Sequence, residues 1–415
     1  MKTNKRLSTC SRILAIIILI AVLLPGCRRA EETPITVPAG AQAGDLVSLE
    51  PCTYIRSDVE YAADCGTLVV PENRSDPNSR LIALSVIRVR ATGSSPAEPI
   101  FWFQGGPGQT NLRFSHPQDL TALIENHDFV LVGYRGIDSS VVLDCPELGE
   151  ALASPVGGLM SDASLESYST ATARCAERLQ AEGVDLMGYS MTETIDDMEA
   201  ARDALGYERI NLLGASYGTR LAMMYEWMYP HNLHRVVMTG VNPPGSFIWD
   251  ADVIDAQIAD YARLCAQDAG CSARTDDLVE TMRQVSDNMP KRWLFLPVDE
   301  DTVKLFTFLM FAESIKPPGD PIGISGPNAV DMWLSAAEGD ASGMALVSLL
   351  SSRFLPNFYT WGYTFAMGSG TDEYSDPDRD YRAELDPPDS IIGAPMALLF
   401  WGMSSGWVAN PIAEE

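Results

Sequence analysis

Histidine is nearly missing from this chain. Four occur in 415 residues, His116, His127, His231 and His234, and none follows position 234. With so few imidazoles and no CxxC pair, a zinc site of the usual Cys/His spacing lacks ligands. No metal or organic cofactor is implied. Basic residues are also short, at 29 Lys+Arg against 56 Asp+Glu, for a net charge of −27. Nucleic-acid binding needs a basic face, so no nucleic-acid partner is expected. Residues 13–24 form an unbroken apolar run, but 12 residues fall short of the roughly 20 that span a bilayer. What is present can bury a core: 46% of residues are apolar and 20% charged, which excludes a disordered class. The length fits two or three domains, or one large domain with an insertion.

The N-terminus reads as an address. Lys2, Lys5, Arg6 and Arg12 precede the apolar run, as in a secretory signal. The run ends in Leu24-Pro25-Gly26-Cys27, which resembles the lipobox of bacterial lipoproteins. The expectation is a signal peptide at 1–26, a lipid anchor on Cys27, and a small, polar, Pro/Gly-containing tether at 27–50. The mature chain would be exported and held at a membrane of the cell envelope. Arg28 favours the outer membrane where a cell has two. Removing residues 1–26 takes four positive charges and no negative ones from a chain at −27, leaving −31. Six cysteines then remain: Cys52, Cys65, Cys145, Cys175, Cys265 and Cys271. An even number in an exported chain predicts disulfides, in any of 15 pairings. The local one joins 52–65, 145–175 and 265–271.

Strand and helix signals alternate through the first half. Residues 66–71 (GTLVVP) and 81–90 (LIALSVIRVR) read as a strand pair, the second half-exposed. Residues 99–104, 128–134, 209–213 and 235–239 read as further strands. Helices are expected at 116–127, 165–182, 192–206 and 219–229. Such alternation predicts an α/β fold with a mostly parallel sheet. After Pro244 only helical stretches recur, at 251–267, 275–288, 301–315, 328–350 and 391–408. The acidic stretch 370–390 reads as a solvated loop.

Three turns carry the chemistry. Gly214-Ala215-Ser216-Tyr217-Gly218 follows a buried strand and opens a helix, the context of a nucleophile elbow. Ser216 would stand exposed as a nucleophile, with the Tyr217 N–H aimed at a developing oxyanion. Gly105-Gly106-Pro107-Gly108 also follows a strand and could offer a second N–H, taken as that of Gly106. In the third turn, Tyr134 to Ser139, Arg135 reads as a tie between loops, with no chemistry assigned.

From about residue 52 to 244 these segments, in this order, resemble the α/β hydrolases of the prolyl aminopeptidase and tripeptidyl aminopeptidase family. The matches are Cys65-Gly66-Thr67 with Val70-Pro71, residues 105–108, Arg135-Gly136, Asp196-Asp197 with Leu205-Gly206, and residues 214–219. Tyr229-Pro230 and Gly240-Val241 complete them. The resemblance implies an α/β-hydrolase core at 51–246 and an inserted helical lid at 247–415. It implies a monomeric serine hydrolase that cleaves residues or short peptides from a free N-terminus through an acyl-enzyme. Lid acids such as Asp250, Asp252 and Glu313 would hold the amine. Two other readings stay open: an esterase or other small-molecule hydrolase, and an inactive ligand-binding lipoprotein.

This chain departs from the family's pattern. Gln104 stands where the family has His, and Gly133 where it has Asp. The fold's Asp and His should follow the nucleophile on later strands, yet no histidine lies beyond 234. His231 and His234 lie past the helix that Ser216 opens, toward the other end of the sheet. His116, near the Gly-Pro turn, is the one long shot. The expectation is a chain without the strands that carry the triad Asp and His, poorly active and poorly soluble.

Overall fold

The polar turn 72–80 joins β2 (Val59–Pro71) and β3 (Leu81–Val89) as an antiparallel pair. β3 is less exposed than its alternation predicts, because both of its faces are covered. Ile82, Leu84 and Val86 enter one core cluster, and Val89 enters the other. β1 (Leu46–Arg56) adds antiparallel to β2 and is stitched to it by Cys52–Cys65. This strand begins inside the stretch read as a tether. Its sequence signal is broken by a register shift between Val47 and Glu50, where Ser48 takes φ 55°.

The computed structural model describes residues 35–245, 248–312, 324–369, 374, 376 and 378–407. The signal run and Cys27 lie outside the described residues. β4 (Ala97–Phe103), β5 (His127–Val132), β6 (Ile210–Ala215) and β7 (Leu233–Thr239) complete a sheet ordered β1-β2-β3-β5-β4-β6-β7. Neighbours among β5, β4, β6 and β7 are parallel, β2 runs with them, and β1 and β3 run against them. The mostly parallel α/β sheet expected from the alternation is therefore present. The expected helix at 116–127 is shorter: α1 (Pro117–Leu123) ends early because His127 already opens β5.

α2 (Pro146–Ala153) and α3 (Asp162–Ala181) are joined by Cys145–Cys175. α4 (Met191–Ala204) starts at Ser190, whose side chain accepts the Glu193 N–H. α5 (Tyr217–Met228) lays Tyr217, Leu221 and Tyr225 into the core with Phe101 and Phe103 of β4. The opposite sheet face packs Trp102, Phe129 and Leu131 against Phe114 and Leu120.

From Ala251 on, the regular elements among the described residues are helices apart from a small hairpin, Arg292–Trp293 with Leu296–Pro297. The stretch 328–350 is two helices, Gly326–Ala337 and Ser342–Phe354. Gly339 turns at φ +94° between them, and the Asp340 carboxylate accepts the Ser342 N–H. Cys265–Cys271 closes the third disulfide, so the local pairing holds throughout. Within the acidic stretch read as a loop, Tyr381–Leu385 is helical and Tyr381 is buried. Helix Pro395–Ser404 lies on α3, where a Cβ at Gly402 would come 2.6 Å from the Leu165 side chain. Among the described residues, no helix is long and apolar enough to cross a membrane.

Candidate active site

A strand and a helix meet here with one residue between them. β6 ends at Ala215, α5 starts at Tyr217, and Ser216 sits at φ 51°, ψ −124°. For a non-glycine residue that geometry costs about 1–3 kcal/mol and persists only where its surroundings impose it. They do so through hydrogen bonds. Ser216 N–H donates to Thr239 O at 2.9 Å, and Ser216 O accepts the Thr219 N–H at 2.9 Å and its hydroxyl at 2.7 Å. The side chain is left exposed. The flanking glycines are sterically required. A Cβ on Gly214 would lie 2.7 Å from Gly218 O, and one on Gly218 only 2.0 Å from Phe103 O.

The Gly105-Gly106-Pro107-Gly108 turn comes beside this elbow. A Cβ on Gly105 would sit 3.0 Å from the Ser216 Cβ and 3.6 Å from its Oγ. Gly105 is thus the glycine set against Ser216. Gly106 follows at φ +133°, with a cis peptide to Pro107. Gln104, where the resemblance expects His, serves as a latch: its Nε2 donates to Gln109 Oε1 and its Oε1 accepts from Ser115. Buried Asn111 donates to Trp102 O at 2.9 Å and Val132 O at 2.8 Å, tying β4 to β5. At Gly133, where Asp is expected, a side chain has no room. Its Cβ would fall 2.6 Å from the Asp138 Cβ, and the Asp138 carboxylate accepts the Asn111 and Tyr134 N–H groups instead.

Arg135 ties loops together, as expected. It is fully buried and donates to both Asp197 carboxylate oxygens at 2.7 Å, and to Glu72 O, Gly188 O and Pro71 O. Arg74 reaches Asp197 at 2.7 Å and also pairs with Glu193, which lies 3.1 Å from Arg135. Burial works against the Arg135 charge, but Asp197 and Glu193 override it, so the guanidinium is held more firmly protonated than usual.

Three of the four histidines lie at the far end of the sheet from Ser216. His127 Nδ1 contacts Glu98 O at 2.7 Å and His234 Nδ1 lies 3.6 Å from Glu98 Oε1, at the start of β4 and so at the opposite end of the parallel strands. His231 sits in the turn before β7, at that same end. His116 is exposed, its ring edge-on to Trp102 and Phe114. No histidine among the described residues hydrogen-bonds Ser216. Asp250 and Asp252 are exposed at the start of helix Ala251–Gln267, and Glu313 lies outside the described residues.

Sequence reasoning missed two arrangements. The partners of Arg135 had a signal, since Glu193 and Asp197 stand four apart on α4 and so share a helix face. The second, the segment 359–364 on the glycine turn, had none. Thr360 N–H donates to Gly108 O at 2.9 Å and Thr364 Oγ1 to Pro107 O at 2.9 Å. Tyr363 stacks on Tyr134 at 5.6 Å. Burial raises the pKa of both phenols, and that of Tyr217 beside them, well above the usual value.

A family model for the alpha/beta hydrolase fold matches residues 163–277. The tripeptidyl aminopeptidase of Streptomyces lividans is 29% identical over 245 residues, 56% of this chain and 45% of that protein. Serine protease Hip1 of Mycobacterium tuberculosis is 28% identical over 280 residues, 62% of this chain and 52% of that protein. The putative hydrolase YuaR of Escherichia coli is 24% identical over 231 residues, 51% and 44% of the two chains. The chain spans about half the length of the curated relatives it matches. The sheet and the elbow have the α/β-hydrolase fold, and over about half its length the chain is similar to proteins named as peptidases.

Proposed function

We propose that Ser216 is the nucleophile of a serine hydrolase that acts on peptides at a free N-terminus, through an acyl-enzyme. The observation that carries this is the strained, exposed Ser216 held between β6 and α5 with Gly105 against it. A serine at a strand-to-helix turn presents Oγ beside the unpaired N–H groups of the helix start. In this reading the Tyr217 N–H and an N–H of the Gly105-Gly106 pair hold the oxyanion. The named peptidase relatives support the substrate class. No histidine meets Ser216, so the chain as it stands should react slowly, and a ligand-binding role without turnover remains the competing reading.

Both readings meet one test. The chain is incubated with excess fluorophosphonate probe and the adduct is located by peptide mass spectrometry. A slow adduct on Ser216 is expected, lost in Ser216→Ala and retarded by a peptide with a free amino terminus more than by its N-acetylated form. An adduct that survives Ser216→Ala sinks the nucleophile. Equal retardation by both peptides sinks the amine preference.

We also propose export and lipid attachment through Cys27. Its support is the basic start, the 12-residue apolar run and the cysteine that ends it. Bacteria fed an alkynyl fatty acid should label the chain, and Cys27→Ser should abolish the label. A label that persists in the variant rejects the anchor.

A further inference from the structure

The turn beside Ser216 is held from outside by the lid. Two of its carbonyls are taken by one lid segment: Pro107 O by the Thr364 hydroxyl and Gly108 O by the Thr360 N–H, each at 2.9 Å. A third, Gln104 O, accepts the Tyr134 hydroxyl at 3.0 Å, and the Tyr134 ring is stacked under Tyr363 of the same lid segment. Tyr134, Tyr363 and Thr364 are all buried. The fit is tight: a Cβ on Gly108 would lie 2.3 Å from Thr364 Oγ1 and 2.8 Å from the Tyr359 Cβ. A peptide unit is planar, so fixing a carbonyl fixes the direction of the next residue's N–H. Pinning the carbonyls of 104, 107 and 108 therefore orients the N–H groups of Gly105, Gly108 and Gln109.

We propose that Thr364 is a positioning residue: the lid segment 359–364 sets the geometry of the glycine turn, and the reactivity of Ser216 depends on that hold. The proposal rests on the reading of Ser216 as nucleophile. Thr364 touches no reacting atom. It acts through Pro107, and its hydroxyl also lies 3.3 Å from Thr360 O within its own segment.

Thr364→Val keeps the shape and removes the donor, leaving Pro107 O without it. Two readouts are followed, amide hydrogen exchange of a peptide covering 104–112 and the rate of adduct formation on Ser216. In Thr364→Val, exchange should rise and adduct formation should fall, each by about tenfold. Thr364→Ser should restore both. Thr307→Val is the control. Thr307 is equally buried in the lid, where its hydroxyl donates to Val303 O and accepts from Trp333. That variant should lower the melting temperature without moving either readout. Unchanged exchange in Thr364→Val overturns the hold, and changed exchange with an unchanged adduct rate overturns the positioning role. Matching shifts in Thr307→Val make the effect one of stability and overturn it as well. If the parent chain forms no adduct on Ser216, the functional reading fails separately, and the exchange result still decides whether the lid holds the turn.

Discussion

Arg135→Met should cost the fold about 3–5 kcal/mol, the range for breaking a buried ion pair by removing one partner. The guanidinium carries the charge that faces Asp197 from inside, and it satisfies carbonyls of Pro71, Glu72 and Gly188. Methionine fills the volume and supplies none of this. Arg74 is part-exposed and holds Asp197 Oδ1 and Glu193, whereas Asp197 Oδ2 is bonded by Arg135. The melting temperature should fall by roughly 10 °C. Adding Asp197→Asn should recover part of the loss, because without Arg135 the single cation Arg74 faces two carboxylates, Asp197 and Glu193. A melt within about 2 °C of the parent would show that Arg135 is no structural tie.

Gly218→Ala should also destabilise, by a different route. The new Cβ would stand 2.0 Å from Phe103 O and 2.6 Å from its carbonyl carbon, both backbone atoms of β4. Backbone cannot swing aside as a side chain does, so α5 must lift off the sheet and carry Ser216 with it. Overpacking of this kind costs about 1–3 kcal/mol or more, and the Ser216 adduct should disappear. Gly206→Ala is the contrast. Gly206 lies at φ +77° with nothing within 4 Å of its would-be Cβ. Only backbone strain is paid there, about 1–2 kcal/mol, and labelling should persist. Denaturant unfolding with adduct mapping on both variants separates the two. Equal behaviour would mean that the Phe103 contact does not hold the elbow.

What could be read from the residues was local. The buried strand before Gly214, the helix after Ser216 and the glycine turn after Phe103 all carry short-range signals, and the three disulfides follow the nearest spacing. The elbow was legible because its steric demand falls on positions two residues apart from Ser216. Where a local signal was broken, the reading slipped. β1 hid behind its bulge at Ser48, and the helix expected at 116–127 took in residues that belong to β5.

The tertiary structure alone decided which distant groups meet. Asp197 reaches Arg135 across 62 positions and Thr364 reaches Pro107 across 257. No periodicity marks a threonine as a partner for a carbonyl so far away in the chain. Gly105, not its neighbour, proved to lie against Ser216 because β4 and β6 are adjacent, and Asp138 could stand in the space at Gly133 because the 133–138 turn folds back on itself. Sequence determines the conformations that a residue and its near neighbours can adopt, since propensity and steric limits act over a few bonds. Contacts across the fold are set by how the sheet orders its strands and by how the helices after Ala251 pack upon them, and that packing is cooperative.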